Sequence, residues 1–494
     1  MADADLLPVF HVVGFTGHRQ LADAAGVARA IHGALDELKA NPKVDWLALS
    51  SLAEGSDLIF ARAALDLKLG WEALLPLPPA EFRRDFEPAG WAVVEALLGE
   101  AEQVRVISER VDRNDAYLDC GTETVNQCDL LLAVWDGKPA QGRGGTAEIV
   151  AYAREIGRPV ILIDPVTCAV RRERFDRLKA EDRHLAHLNR LPAGSGSAEL
   201  AENDPGRRAV RHFQNKVDQA ATGSAPHFRR LTTLTVGLHV LATALATATL
   251  AFDLHAAVLP WGKLSCLVGA LGVAVVLRRQ HERHDWVRCR LAAEISRSAL
   301  ATWGLPQAGR LFAHMDWAGL EPLRRTLDIL HRRSARARPQ AFDEFKQQYI
   351  RERIEGQLAY FARHEQRATP LLARLRAGFT FSSGLAIACT AAYAINSVFT
   401  TSIAPVWVEE WIFGFGPIVL PVLAAACISL ISVNDLHRRV ARYRELRIRL
   451  ESARKEATFA QTWGSLERVI AKAERALLQE VFEWHSVTSF TESH

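Results

Sequence analysis

Four apolar runs, at residues 231–252, 258–277, 377–395 and 411–433, constrain this chain more than any other feature of its 494-residue sequence. Each is close to the roughly 20 residues with which an α-helix crosses hydrocarbon, and core helices of soluble proteins seldom stay uncharged for that long. Lys263 lies near an end of its run, where a long side chain can reach the interface. The runs form two hairpins. Arginines flank their outer ends, at Arg229, Arg230, Arg278, Arg279, Arg374, Arg376, Arg438, Arg439 and Arg442. The short connections within the hairpins are poor in basic residues, and Trp261, Trp407 and Trp411 sit at that side as an aromatic belt would. The positive-inside rule therefore predicts a multi-pass inner-membrane protein with both termini in the cytoplasm.

The segment before the first run reads differently. Short apolar stretches alternate with amphipathic ones: strands at 11–15, 45–50, 71–75, 103–107, 130–135 and 159–163, and helices at 26–39, 57–67, 91–100, 116–127 and 146–155. That alternation predicts an α/β domain, a doubly wound parallel sheet of Rossmann-like type, over residues 1–190. Residues 191–227 read as a linker, because Pro192–Ser197 and Thr222–Pro226 are rich in small and helix-breaking residues around a short polar helix. An all-α membrane region over 228–490 follows, with cytoplasmic helices between and after the hairpins. The start, MADADLLPVF, lacks the pattern of a secretion signal, which keeps the first domain in the reducing cytoplasm. Seven scattered cysteines have no zinc spacing, so no metal is expected. With 60 basic against 57 acidic residues and no arginine-aromatic stripe, nucleic acid is not an expected partner.

Ligands of doubly wound sheets bind at the carboxyl ends of the strands, beside helix N-termini. Three junctions there carry small residues. The first holds Gly14, Thr16, Gly17, His18 and Arg19; the second Ser51, Glu54, Gly55 and Asp57; the third, opening at Gly142, holds Gly144, Gly145, Thr146 and Glu148. Glycines allow backbone amides to approach a phosphate, and Arg19 can pair with its oxygens. Thr146 can cap its helix or donate to the ligand. Glu54 and Asp57 can cap theirs or hold ribose hydroxyls, His18 can bond within its loop or to the ligand, and Asp136 reads as a turn residue.

The stretches GFTGHR, SSLAEGSDLIFARAA and LLLAVWDGKPAQGRGGTAEIVAYAREIGRPVILI resemble the SLOG superfamily of LOG/DprA-like Rossmannoid domains over about residues 8–165. That resemblance implies binding of a nucleotide or nucleotide-derived signal, such as an ADP-ribose derivative, and no tightly held cofactor. Catalytic members carry PGGxGTxxE. Here Glu148 follows Gly145-Thr146 after one residue instead of two, and Arg143 interrupts the first glycine pair. One residue turns a helical side chain by about 100°, which favours binding over glycosidic cleavage. A membrane-tethered phosphoribohydrolase or NAD-derivative hydrolase is the alternative.

Further on, CRLAAEISRSALATWGL, QQYIRERIEGQLAYFARHEQRA and AERALLQEVFEWH resemble the SLATT membrane effectors over most of 228–490. This implies a pore-forming role in bacterial antiphage defence, with a nucleotide second messenger, the lipid bilayer and a signal-synthesising enzyme as partners, and a homo-oligomer as the working form. Apolar stripes at Ile350, Ile354, Leu358 and Phe361, and at Leu466, Val469, Ile470, Ala473, Leu477, Val481 and Trp484, call for packing partners, either one another or a neighbouring chain, with the membrane surface as the alternative.

Overall fold

The apolar strands pair into a seven-stranded sheet of order β4-β3-β2-β1-β5-β6-β7. The structure, a computed structural model, describes residues 6–490 except 108–111, 140–142, 179–182, 193–202, 254–257, 282–284, 307–319, 338–339 and 399–404; the side chains at 183–184, 223–229, 277–287 and 480–490 also lie outside it. The strands are β1 (Phe10–Gly17), β2 (Asp45–Ser50), β3 (Gly70–Leu75), β4 (Gln103–Val106), β5 (Leu130–Val134), β6 (Val160–Ile163) and β7 (Val170–Glu173). The first six are parallel. β5 (LLLAV) and β6 (VILI) are buried along their whole length, as strands covered on both faces must be.

Helices α1 (Ala24–Lys39), α2 (Ser56–Asp66), α3 (Pro79–Phe82), α4 (Pro88–Glu100), α5 (Arg113–Gln127), α6 (Thr146–Glu155) and α7 (Arg183–Asn189) complete this part of the chain. One apolar cluster includes α1, α2 and α4 with the alternate residues Val13, Phe15, Leu130 and Leu132. A second includes α5 and α6 with Val12, Leu131 and Ala133. The sheet is therefore covered on both sides, as expected.

Three expectations need correction. The strand at 159–163 is not the last, since β7 follows and pairs antiparallel with β6. Its sequence, Val-Arg-Arg-Glu, has no apolar run to announce it. It is an exposed, charged edge, which discourages pairing with another chain. Arg154 of α6 fixes it by a two-pronged contact with Glu173, at 2.8 and 2.9 Å.

The second correction concerns the region between the hairpins. The chain divides into two units, and the first consists of Met1–Arg190 together with Met315–Ala337. Helix α11 (Glu321–Ala337) thus belongs to the sheet unit, although residues 228–490 read as one membrane region. It lies along the amino ends of the strands. Thr326 Oγ1 donates to Pro8 O (2.9 Å), and Arg325 pairs with Asp129 just before β5. Arg332 reaches Glu72 of β3 (2.5 Å) and Gln103 of β4 (2.9 Å), while Arg336 donates to Ala101 O (2.8 Å). Ile329 enters the second apolar cluster.

The second unit is helical: α8 (Pro205–Ala251), α9 (Val258–His281), α10 (Asp285–Ala301), α12 (Phe342–Gln348), α13 (Gly356–Asn396), α14 (Val406–Val408), α15 (Gly416–Val433), α16 (Leu436–Phe459) and α17 (Trp463–Phe490). Turns of π-helix at Tyr349–Glu355 and Glu409–Phe415 join α12 to α13 and α14 to α15. Four helices are long and apolar enough to cross a membrane, and the four runs read from the sequence fall in them, apart from Phe252, which follows the end of α8. The expected spacer at Thr222–Pro226 is instead internal to α8. Its composition is overridden because the flanks are anchored, with Val210, Phe213, Val217 and Ala221 buried on one side and the apolar run on the other. Asp204 and Pro205 start this helix: the Asp204 carboxylate accepts from Gly206 N, and proline occupies the first turn. The stripes of the π-helix, α13 and α17 pack on one another and on α16 within one chain. The side chains of Val481 and Trp484 lie outside the described residues.

Candidate functional site

The strand order reverses between β1 and β5: β1 leads to β2 on one side, and β5 lies on the other. The carboxyl ends of β2, β1 and β5 are neighbours there, so the three predicted junctions fall at the switch point of the sheet.

β1 continues to Gly17, which makes Gly14 and Thr16 strand residues. A Cβ on Gly14 would stand 2.9 Å from Thr124 Cγ2 and from Cys128 Cβ, so this glycine allows α5 to lie close to the sheet. Gly17 serves the next junction in the same way, since its Cβ would meet Ser56 Oγ at 2.2 Å. Ser56 donates to His18 O through both its amide (3.2 Å) and its hydroxyl (2.9 Å), tying the first junction to the start of α2. Gly55 has φ +93°, and a Cβ there would lie 2.2 Å from Arg19 O, so both conformation and space require glycine.

The second junction also holds a strained residue. Leu52 is buried with φ +56°, a region that costs a branched side chain of order 1–3 kcal/mol. Its amide donates to Ser50 Oγ (3.3 Å). Asp57, only 2% exposed, accepts from Ser50 Oγ (3.0 Å) and Ser51 Oγ (2.9 Å). Burial pushes its carboxyl up to about 7 against the opposing pull of the two serines and Arg19. Asp57 therefore organises its loop from below through the two serines, whereas Glu54 is exposed.

At the third junction Gly142 lies outside the described residues. Gly144 has φ +77°, and a Cβ on it would stand 2.9 Å from Leu118 N. Its amide donates to Glu148 Oε2 (2.8 Å), so the Glu148 carboxylate closes the first turn of its own helix. Thr146 does not cap α6: Gly145 holds the cap position, Thr146 is the first helical residue, and no side chain caps the helix. Arg143 pairs with Asp115 (2.9 Å).

His18 and Arg19 join these junctions to β5 and α5. His18 Nε2 lies 3.2 Å from the Asp136 amide and 3.3 Å from Asp136 Oδ1. The Lys138 amide, first, and His18 with Lys138 hold the Asp136 carboxyl below its ordinary range, consistent with the turn reading of Asp136. The exposed Arg19 guanidinium lies 5.1 Å from the centre of the Tyr117 ring. Tyr117 donates to Asp85 Oδ2 (2.7 Å), and Arg113 pairs with the other oxygen of that carboxylate, Oδ1 (2.5 Å). Arg113 and Tyr117 were not among the expected site residues; their i, i+4 spacing at the start of α5 was the available signal.

The helical unit holds a polar cluster that no motif announced. Glu474 of α17, 1% exposed, accepts from Arg353 Nε (2.8 Å), Arg353 Nη2 (2.6 Å), Tyr349 Oη (2.8 Å) and the hydroxyl of Ser298. Among the described residues no group of histidine, cysteine, aspartate and glutamate has an arrangement that could hold a metal ion.

No curated protein matches the chain. Residues 212–355 match the family model described as SMODS and SLOG-associating 2TM effector domain 3. The match takes in the first apolar hairpin, α10, and also α11, which folds with the sheet. With its four apolar helices and this match, the chain is a membrane protein that carries a region similar to the two-helix effector domains.

Proposed function

We propose that the sheet unit binds a nucleotide-derived signal, of the ADP-ribose class that its SLOG-like loops imply, and that the helical unit answers by perturbing the bilayer. The natural setting is bacterial antiphage defence, in the inner membrane, with both termini in the cytoplasm and several copies acting together. The observation that carries this reading is the switch point itself. Three junctions meet there, and they leave an exposed arginine, a half-buried histidine and the uncapped N-terminus of α6 along one edge. Such an edge attracts phosphate through backbone amides and the helix dipole. Glu148, bound to the Gly144 amide, is occupied in a way that suits binding more than hydrolysis.

Calorimetric titration of the intact chain in detergent with ADP-ribose and NAD tests this. Arg19→Ala should weaken binding roughly tenfold to a hundredfold, the effect of losing a charged hydrogen bond of about 1.5–3 kcal/mol. Gly145→Asp, which places a carboxylate where phosphate would sit, should abolish it. Equal affinity in both variants and the parent would remove the site.

A further inference from the structure

Carboxylates match the basic residues of α16 and α17 well away from the apolar runs, and the matching stops where the runs begin. Arg444 and Arg447 share Glu365 of α13, at 3.3 and 2.7 Å. Arg449 pairs with Glu445 (2.5 Å), and Lys472 of α17 pairs with Glu456 (2.7 Å). Between Glu365 and Glu445 the sequence holds only three acidic residues. Glu409 and Glu410 lie at the other end of the hairpin, which leaves Asp435 beside Arg374, Arg376, Arg438 and Arg439.

The fold gathers these arginines at one level. Arg376 Nη2 lies 2.6 Å from His437 Nδ1, so the start of α16 stands beside the last residues of α13 before its run. Arg374 and Arg376 are exposed, and neither has a carboxylate partner among the described residues. They are about 200° apart on α13, so cations stand on both sides of it. Arg438 is exposed and 3.9 Å from Asp435, while Arg439 Nη2 donates to Tyr443 Oη (3.2 Å). The positive-inside rule accounts for arginines at this border but not for their being left without acids. Phospholipid phosphates are the anions abundant at this depth, and guanidinium groups take phosphate oxygens through paired N–H donors. Apolar surface continues from the cations. Phe381, 72% exposed, is seven residues after Arg374, so it lies on nearly the same line of α13 about 10 Å deeper. A free phosphate would use the arginines alone, whereas a phospholipid uses both, its phosphate at Arg374 and its chains over Phe381.

We propose that this arginine rim is a binding surface for anionic phospholipid of the phosphatidylglycerol class, held in preference to zwitterionic lipid. The inference requires only that the chain spans a membrane. It does not depend on a nucleotide signal or on perturbation of the bilayer.

Electron paramagnetic resonance of the full chain in phosphatidylcholine vesicles doped with spin-labelled lipid tests this, because lipid held against protein moves slowly and gives its own spectral component. Spin-labelled phosphatidylglycerol should be enriched several-fold over spin-labelled phosphatidylcholine in that component. Arg374→Ala, Arg376→Ala and Arg438→Ala combined should remove most of the enrichment. Arg374→Ala alone, which breaks no ion pair or hydrogen bond among the described residues, should lower it as well. Arg444→Ala, Arg449→Ala and Lys472→Ala combined take the same charge from matched pairs and should leave it intact. No enrichment in the parent, or equal loss in the two triple variants, overturns the proposal, since lipid would then answer to net charge and not to the rim. Inorganic phosphate should release no more labelled phosphatidylglycerol than chloride of the same ionic strength. Greater release by phosphate would assign the rim to the free anion and overturn the lipid as its occupant.

Discussion

Asp57 shows how one side chain can make a loop at the carboxyl edge of a sheet sensitive to pH. Its folded-state value near 7 lies above the ordinary 3.8 because the carboxylate loses its water on burial. Below pH 4 both folded and unfolded chains hold the proton. As pH rises toward 7 the unfolded chain releases it first, so the stability attached to this group falls across that window, by roughly 4 kcal/mol in all. Asp57→Asn should remove this part of the slope. Melting of the sheet unit from pH 4 to 8 checks it, and identical slopes for variant and parent would mean that Asp57 is ionised throughout. Such a role was not legible in the sequence: Asp57 stands where helix caps and ribose ligands both stand. Glu148 was half legible, since its shifted spacing argued against cleavage, but its bond to Gly144 depends on a positive φ that spacing does not reveal.

Among the elements, α11 departs furthest from what periodicity suggests. It is amphipathic in sequence, yet nothing in a helical pattern says that its partner is a sheet whose last strand ends nearly 150 residues earlier. The strands and helices of the sheet were legible because apolar period is a local property. α11 and β7 were not, because long-range salt links and an edge position define them. Glu72, 4% exposed, is a buried carboxylate that depends on Arg332 at 2.5 Å and Arg105 at 3.3 Å. Breaking such a pair from one side leaves an uncompensated buried charge, so Arg332→Ala should destabilise the sheet unit by roughly 3–5 kcal/mol. A fragment ending at residue 190 should likewise melt lower than the same fragment mixed with a peptide of residues 315–337. Equal melting with and without the peptide would show that α11 is an ornament on a sheet complete without it.

At the scale of the whole molecule, the buried Glu474 joins segments distant in sequence: α10 after the first hairpin, the π-turn before the second, and the tail helix. A π-turn often marks a functional position in a helix, and here it carries both Tyr349 and Arg353 to one carboxylate. Arg353 Nη1 is buried with no hydrogen-bond partner among the described residues. Glu474→Leu alone should therefore be strongly destabilising, while Arg353→Met with Glu474→Leu should recover most of the loss. Denaturation of the four chains of this cycle in detergent measures the coupling, and additive effects would dismiss the cluster as an energetic unit.

The position of α11 also orders the making of the protein. A nascent chain releases its first 190 residues early, but the helix that covers the amino ends of their strands follows only after the hairpin of α8 and α9 has been synthesised. Domains generally fold in the order in which they leave the ribosome. Here the first domain to emerge waits, with Glu72 unmatched by Arg332, until the first membrane hairpin has been translated. A chain that stops before α11 leaves the amino ends of its strands bare and Glu72 without Arg332.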